Sequence, residues 1–291
     1  MISPPLKFNL EAQKNRVIAV QHWPQPAPEQ VIIMAPAMGV PQSYYQNFCQ
    51  WLAQTGRAVI SFDYFGIGAS LQGPLKHQQT TIRDWAELDA AAVITHAQQL
   101  YPTASVIWFA HSVSGQLFGM IPNYSEIDRM ITVATGSGYW RENTPQLKPK
   151  AWLLWHIIAP LTLPMFGYFP GDKLGIVGNL PGPAMRQWRR WCLHPEYLIG
   201  VEGEANRQRY ANISTPITSI SFSDDELLSQ RNIHAMHDAY VNAPQQRLCI
   251  EPESVGLERI GHFGFFRQRL AGSSWDELIL PHLSTSSPEL S

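Results

Sequence analysis

The chain has 291 residues, 45% of them hydrophobic and 15% charged, which supports a sizeable core and excludes a wholly disordered polypeptide. A formal net charge of −2 argues against the basic surface of a nucleic-acid binder. Three widely spaced cysteines, Cys49, Cys192 and Cys249, form no CxxC pair, so they suggest neither a disulfide framework nor a zinc site and fit a reducing compartment.

The N-terminal stretch MISPPLKFNLEAQKNRV carries prolines and charges where a signal peptide needs an apolar run, so the expected location is cytoplasmic. LKFNLEA and RVIAVQHW, joined by a polar turn at 13–15, read as a β-hairpin. VIIMA (31–35) has the β-branched character of a strand buried in a parallel sheet. A helix over SYYQNFCQWLAQTG closes at Gly56, and the strand RAVISFDY follows. A longer helix over 82–100 precedes the strand SVIWFA. A helix from Ser112 to Pro122 and the strand RMITVAT (129–135) come next. Regularity then fails from 137 to 210, which holds Trp140, Trp152, Trp155, Trp188 and Trp191. Alternation returns with PITSISFSDD (216–225), a helix near 229–242, the strand QRLCIE and a last helix ending near Leu280. This order implies a parallel sheet covered on both faces, built from 1–136 and 211–291, with 137–210 inserted as a largely helical cap. The apolar segment 151–169 approaches membrane-spanning length. Pro160, Pro164 and His156 interrupt it, which makes a buried or interfacial cap segment the better reading. The tail STSSPELS reads as frayed.

The most informative stretch is VIWFAHSVSGQLFGM (106–120), where an apolar run ends on His111 and Ser112 among small residues before a helix begins. A nucleophile at a strand-to-helix turn needs such small neighbours, because strand and helix approach closely there. The usual signature is G-x-S-x-G; here Ala110 and Ser114 replace both glycines. Ser112 could equally be a helix N-cap. Two later segments favour the nucleophile, because a serine needs an imidazole to take its proton and an acid to fix the tautomer. ITSISFSDDELLS ends a strand on Asp224 and Asp225, and LERIGHFGFF is a Gly-flanked loop carrying His262, in the chain order Ser…Asp…His. Asp225 is preferred because Ser229 then lies four residues on, where a proline is often found; Asp224 remains the alternative or a capping residue. Backbone N–H groups of Val113 and of Met38, in the loop APAMGVP with Gly39 at its turn, are the candidate oxyanion donors.

With AHSVSG, GHFGFF and DYFGIGAS (63–70), the chain resembles the α/β-hydrolases of the lysophospholipase, monoacylglycerol lipase and esterase kind. APAMGVPQSYY, ATGSGYWRENTP, MRQWRRWCLHPEYL and LERIGHFGFFR resemble a bacterial group of α/β-hydrolases. The resemblance implies an eight-stranded, mostly parallel sheet and maps nucleophile, acid and base onto Ser112, Asp225 and His262. The expected activity is hydrolysis of a small-molecule carboxylic ester or related acyl compound, with no metal or cofactor. An amidase or acyltransferase would use the same groups, and a non-catalytic binding protein for an apolar ligand is the rival from another class. One departure is Phe65, which stands where the D-x-R-G loop has Arg and leaves Asp63 needing another partner.

Other signals are weaker. FGIGAS lacks the lysine and spacing of a phosphate loop, and HAMH (His234, His237) reads as a solvated helix face rather than a metal site. Ser137, Trp140, Trp155 and Trp188 are the candidate substrate-binding residues. RQWRRWC interleaves Arg186, Arg189 and Arg190 with tryptophans, as in an amphipathic cap helix packed by its Trp face. An acyl pocket with peripheral membrane contact through the cap is the functional alternative.

Overall fold

The computed structural model describes residues 4–267 and 273–283. The expected hairpin forms from β1 (Leu6–Gln13) and β2 (Arg16–Trp23), with Asn15 at φ 63° in its turn. β3 (Gln30–Ala35), β4 (Ala58–Phe62), β5 (Ser105–His111) and β6 (Arg129–Val133) follow. β7 (Tyr168–Phe169) and β8 (Leu180–Pro181) make a separate two-stranded pair, and β9 (Ile217–Phe222) and β10 (Gln245–Ile250) complete the main sheet. Its eight strands run β1-β2-β4-β3-β5-β6-β9-β10, antiparallel at the β1–β2 and β2–β4 pairs and parallel beyond. The α/β-hydrolase fold expected from the sequence is therefore present.

Every residue of β3, β4 and β9 is buried, as a parallel sheet sandwiched between helices requires. Alternate side chains of β3 enter different cores: Val31 and Ile33 join Trp85, Trp108 and Phe118, whereas Ile32 and Met34 join Phe48, Phe265 and Trp275. The strand order reverses direction at β3 and β5, so the loops after these strands flank a crevice at the carboxyl rim.

The helix over 82–100 starts with a reciprocal capping box between Thr81 and Asp84 and contains a π-helical turn at Trp85–Ala90. Helix Gly182–Leu193 contributes a second cap, because the Gln187 carboxamide accepts from Ile82 N–H at 2.8 Å and Arg83 N–H at 3.1 Å. Glu202 accepts from Gln187, Trp191 and Arg83. Burial alone would raise its pKa, but these hydrogen bonds and the Arg83 charge outweigh it and hold the carboxyl below its usual range.

Between 137 and 210 the chain is mainly helical. An unbroken helix over 148–166, with a π-helical turn at Leu154–Ile158, ends at Gly167 with φ 75°. The helix expected from Ser112 to Pro122 is shorter, an α-turn at Val113–Gln116 followed by a 3₁₀ turn at Phe118–Met120. The helix expected near 229–242 is Gln230–His237, and the last one is Ser273–Leu283. The tail 284–291 lies outside the described residues. Among the described residues no helix is long and apolar enough to cross a membrane.

Candidate active site

β5 delivers Ser112 to the rim with φ 52° and ψ −112°, a conformation that costs a non-glycine residue about 1–3 kcal/mol. Neighbouring groups hold it there. Ser112 N–H donates to Val133 O at 2.9 Å, and Ser112 C=O accepts from Gly115 N–H at 3.1 Å and Thr135 Oγ1 at 2.9 Å. A Cβ on Gly115 would lie 2.6 Å from Thr135 Oγ1, so the close approach falls on Gly115. Ser114, in place of the second signature glycine, donates to Pro36 O at 2.5 Å and receives the Tyr64 hydroxyl at 2.7 Å. This ties the turn to the loop after β3.

The segments after β9 and β10 supply the other two groups. His262 Nδ1 lies 2.8 Å from Asp225 Oδ2, and its Nε2 lies 3.1 Å from Ser112 Oγ. Asp225 is 6% and His262 3% exposed, so the pair is shielded from water. The other Asp225 oxygen accepts from Leu227 N–H at 2.8 Å and Leu228 N–H at 2.9 Å. An acceptor carboxylate puts the imidazole proton on Nδ1 and leaves Nε2 free to receive the serine proton.

The adjacent acids have different partners. Asp224 accepts from Ile260 N–H at 2.9 Å and Gly261 N–H at 3.0 Å, and Glu226 accepts from His262 N–H at 3.1 Å. Asp224 is thus not a helix cap; Ser229 caps Gln230–His237. Three consecutive carboxylates grip the histidine loop by its backbone and its ring. The sequence reading missed Glu226, because the bond spans 36 residues.

A further buried chain of hydrogen bonds runs behind Ser112. Ala37 N–H donates to Tyr45 Oη at 2.8 Å, Tyr45 lies 2.8 Å from His111 Nδ1, and His111 Nε2 lies 3.1 Å from the His262 carbonyl. A carbonyl only accepts, so Nε2 carries the proton and Tyr45 donates to Nδ1. Burial chiefly, then the nearby His262, holds His111 well below the usual imidazole range and hence neutral. This chain links the loops bearing Met38 and His262 through the residue before Ser112. Neither the Met38 nor the Val113 backbone N–H meets an acceptor among the described residues.

Ser112 and His262 lie on the wall of a cavity of about 310 Å³. The wall is mainly apolar, with Leu147, Leu154, Trp155, Trp188 and Ile176 prominent, and Lys150 also lines it. Trp155 and Trp188 meet edge to face at 5.0 Å. Of the four candidate substrate contacts, these two reach the cavity. Ser137 does not: it is buried against Asn232, whose carbonyl accepts its N–H at 2.7 Å. Trp140 also lies off the wall, against His156 and beneath the Arg141 guanidinium. The histidines of HAMH do not share a solvated face. His237 is buried between Ile233 O and Thr132 Oγ1, whereas His234 is exposed beside Arg247.

The family model described as serine aminopeptidase, S33, matches residues 26–171, half of the chain; it includes Ser112 and stops before Asp225 and His262. Similar solved structures include DcsB in complex with its substrate analogue, at 14% identity and TM-score 0.62 over 96% of this chain and 97% of that one. A soluble variant of monoglyceride lipase from Saccharomyces cerevisiae shares 12% identity and TM-score 0.59, covering 85% and 86%. Est816, described as an N-acyl homoserine lactone degrading enzyme, shares 14% identity and TM-score 0.58, covering 93% and 98%. At such identities the likeness is one of fold. No curated protein matches the chain by sequence.

Proposed function

Because this chain belongs to the serine aminopeptidase S33 family of α/β-hydrolases and is a serine hydrolase, we propose that it cleaves a carboxylic ester or related acyl bond next to an apolar group. Ser112 attacks the carbonyl while His262 Nε2 takes its proton, and Asp225 holds the ring and stabilises the imidazolium. The Val113 and Met38 N–H groups receive the developing oxyanion. The tetrahedral intermediate collapses, His262 protonates the departing alcohol, and the same imidazole then activates the water that releases the acid. The carrying observation is the single imidazole bridging Asp225 at 2.8 Å and Ser112 at 3.1 Å on the wall of a mainly apolar cavity.

Residues 137–210 act as the cap in this reading, since Trp155, Trp188, Lys150 and Ile176 come from that segment. The cavity lining supports an ester substrate over a peptide with a free amino terminus. An aminopeptidase needs an anion for the substrate's terminal ammonium, but no carboxylate among the described residues lines this wall and Lys150 does. The test is labelling by a fluorophosphonate, followed by p-nitrophenyl esters of graded chain length with amides and thioesters alongside. Labelling lost in Ser112→Ala together with a defined chain-length optimum supports the reading. A folded wild-type protein that neither labels nor turns over any ester defeats it.

A further inference from the structure

Soluble proteins seldom expose many large apolar side chains together. Here twelve large apolar residues are exposed among the described residues, and eight lie within 152–176. The helix over 148–166 buries Ala151, Leu154, Trp155, Ala159 and Leu163, and presents neighbouring pairs at 152/153, 156/157, 160/161 and 164/165 to solvent. Leu161 is 60%, Met165 72% and Trp152 47% exposed, and Leu174 and Ile176 are exposed in the following segment. The π-helical turn at Leu154–Ile158 adds a residue to one turn, which helps this four-residue spacing stay on one side.

The charges around this face are mostly positive. Residues 148–190 contain six Lys and Arg against the single acid Asp172, in a chain whose net charge is −2. Asp172 is itself engaged by Asn179 at 2.7 Å. Lys148 and Lys150 stand at the start of the helix; Lys76 lies beside Gly167 at its end, and the Arg186 guanidinium lies beside Gly182, next to the Gly167 carbonyl. We propose that this face docks on the surface of an anionic lipid bilayer, its apolar side chains among the acyl chains and its lysines and arginines at the head groups. A second copy is the poorer occupant, because a two-fold contact would set these cations against their own counterparts. Lys150 and Ile176 also line the cavity containing Ser112, so the docked face adjoins the cavity mouth. An ester dissolved in the leaflet then reaches Ser112 with little exposure to water, a consequence that rests on the hydrolase reading.

Flotation of the full chain with phosphatidylcholine vesicles, with and without phosphatidylglycerol, at low and high salt tests the docking. Wild type is expected to float with the anionic vesicles and at least about tenfold less with neutral ones or in high salt. Leu161→Glu combined with Met165→Glu should reduce flotation at least about tenfold while hydrolysis of p-nitrophenyl acetate, a water-soluble ester, is retained. The proposal is overturned if wild type stays unbound at low salt or the double variant floats like wild type. It is overturned equally by a concentration-dependent dimer that these substitutions dissolve without any flotation. If wild type floats but turns over no ester, the hydrolase reading fails and the docking stands.

Discussion

Tyr45→Phe removes one oxygen from the hydrogen-bond chain behind Ser112. That oxygen is fully buried, accepts from Ala37 N–H at 2.8 Å and donates to His111 Nδ1 at 2.8 Å. The phenyl ring can keep its packing on Phe266 and His111, at 4.8 and 5.8 Å, so the loss is polar rather than a large cavity. One donor and one acceptor are left unpartnered, each at about 1–3 kcal/mol, so the unfolding free energy should fall by roughly 3 kcal/mol. His111 cannot repair this by moving its proton, because Nε2 would then face the His262 carbonyl without one. A second effect follows at the neighbouring residue. Ala37 precedes Met38, so a loosened loop lowers kcat by about tenfold with little change in KM. Urea unfolding and ester kinetics at one pH measure both quantities. A variant within about 0.5 kcal/mol of wild type would refute the argument that these bonds hold the loops in place.

The other predictions concern single side chains. Asp225→Asn should lower kcat by roughly ten-thousandfold while the protein stays folded, whereas Asp224→Asn should mainly cost about 2 kcal/mol of stability by weakening its grip on the backbone at 260 and 261; the reverse ranking in kcat would transfer the acid role to Asp224. Ser114→Gly, which installs the signature glycine, should destabilise by about 1–3 kcal/mol because it strips the buried Tyr64 hydroxyl of its partner, and an unchanged urea midpoint contradicts this. Burial pushes His237 down to about 4, so the folded state binds fewer protons than the unfolded chain between that pH and about 6.5. The stability held by its neutral form is complete above about pH 6.5 and is lost as pH falls towards 4, about 3 kcal/mol in all. His237→Gln should flatten the pH dependence of unfolding in that window, and an unaltered slope would show that another group dominates.

The strands were legible because their buried runs, such as VIIM in β3 and AVISF in β4, are short, β-branched or aromatic, and bounded by turn residues. The nucleophile, acid and base candidates were legible from chain order and from their places after β5, β9 and β10. What stayed hidden depends on separations that no local pattern encodes. Tyr45 falls within the helix expected over SYYQNFCQWLAQTG, but its hydroxyl meets a ring 66 residues away. Ser137 lay in the expected segment, yet Asn232 turns it from the cavity. The apolar run at 151–169 was visible as composition, but hydropathy averages over a helix and does not say which side faces water. Pairs at four-residue intervals became an exposed face only when the inward side packed on the core.

The departures from the D-x-R-G loop show how the same physical demands can be met from elsewhere in the chain. Asp63, without an arginine at position 65, takes Gln42 N–H at 2.6 Å, the Gln42 carboxamide at 3.2 Å and Ala69 N–H at 2.9 Å. Burial pushes this carboxyl up and those donors oppose it, so no cation has to be buried beside it. A cation nonetheless occupies the neighbourhood. Arg16 reaches across from β2, lies 4.5 Å over the Phe65 ring and pairs with Asp89 at 2.6 and 2.9 Å, while Asp89 accepts Phe65 N–H. Phe65 thus contributes a π face where the motif has a guanidinium, and the charge enters from another strand. The elbow follows the same logic: position 110 has room for a methyl group, position 114 uses its hydroxyl as a tie, and the need for no side chain passes to Gly115. The glycine signature stands for a steric condition, and that condition can hold when the letters differ.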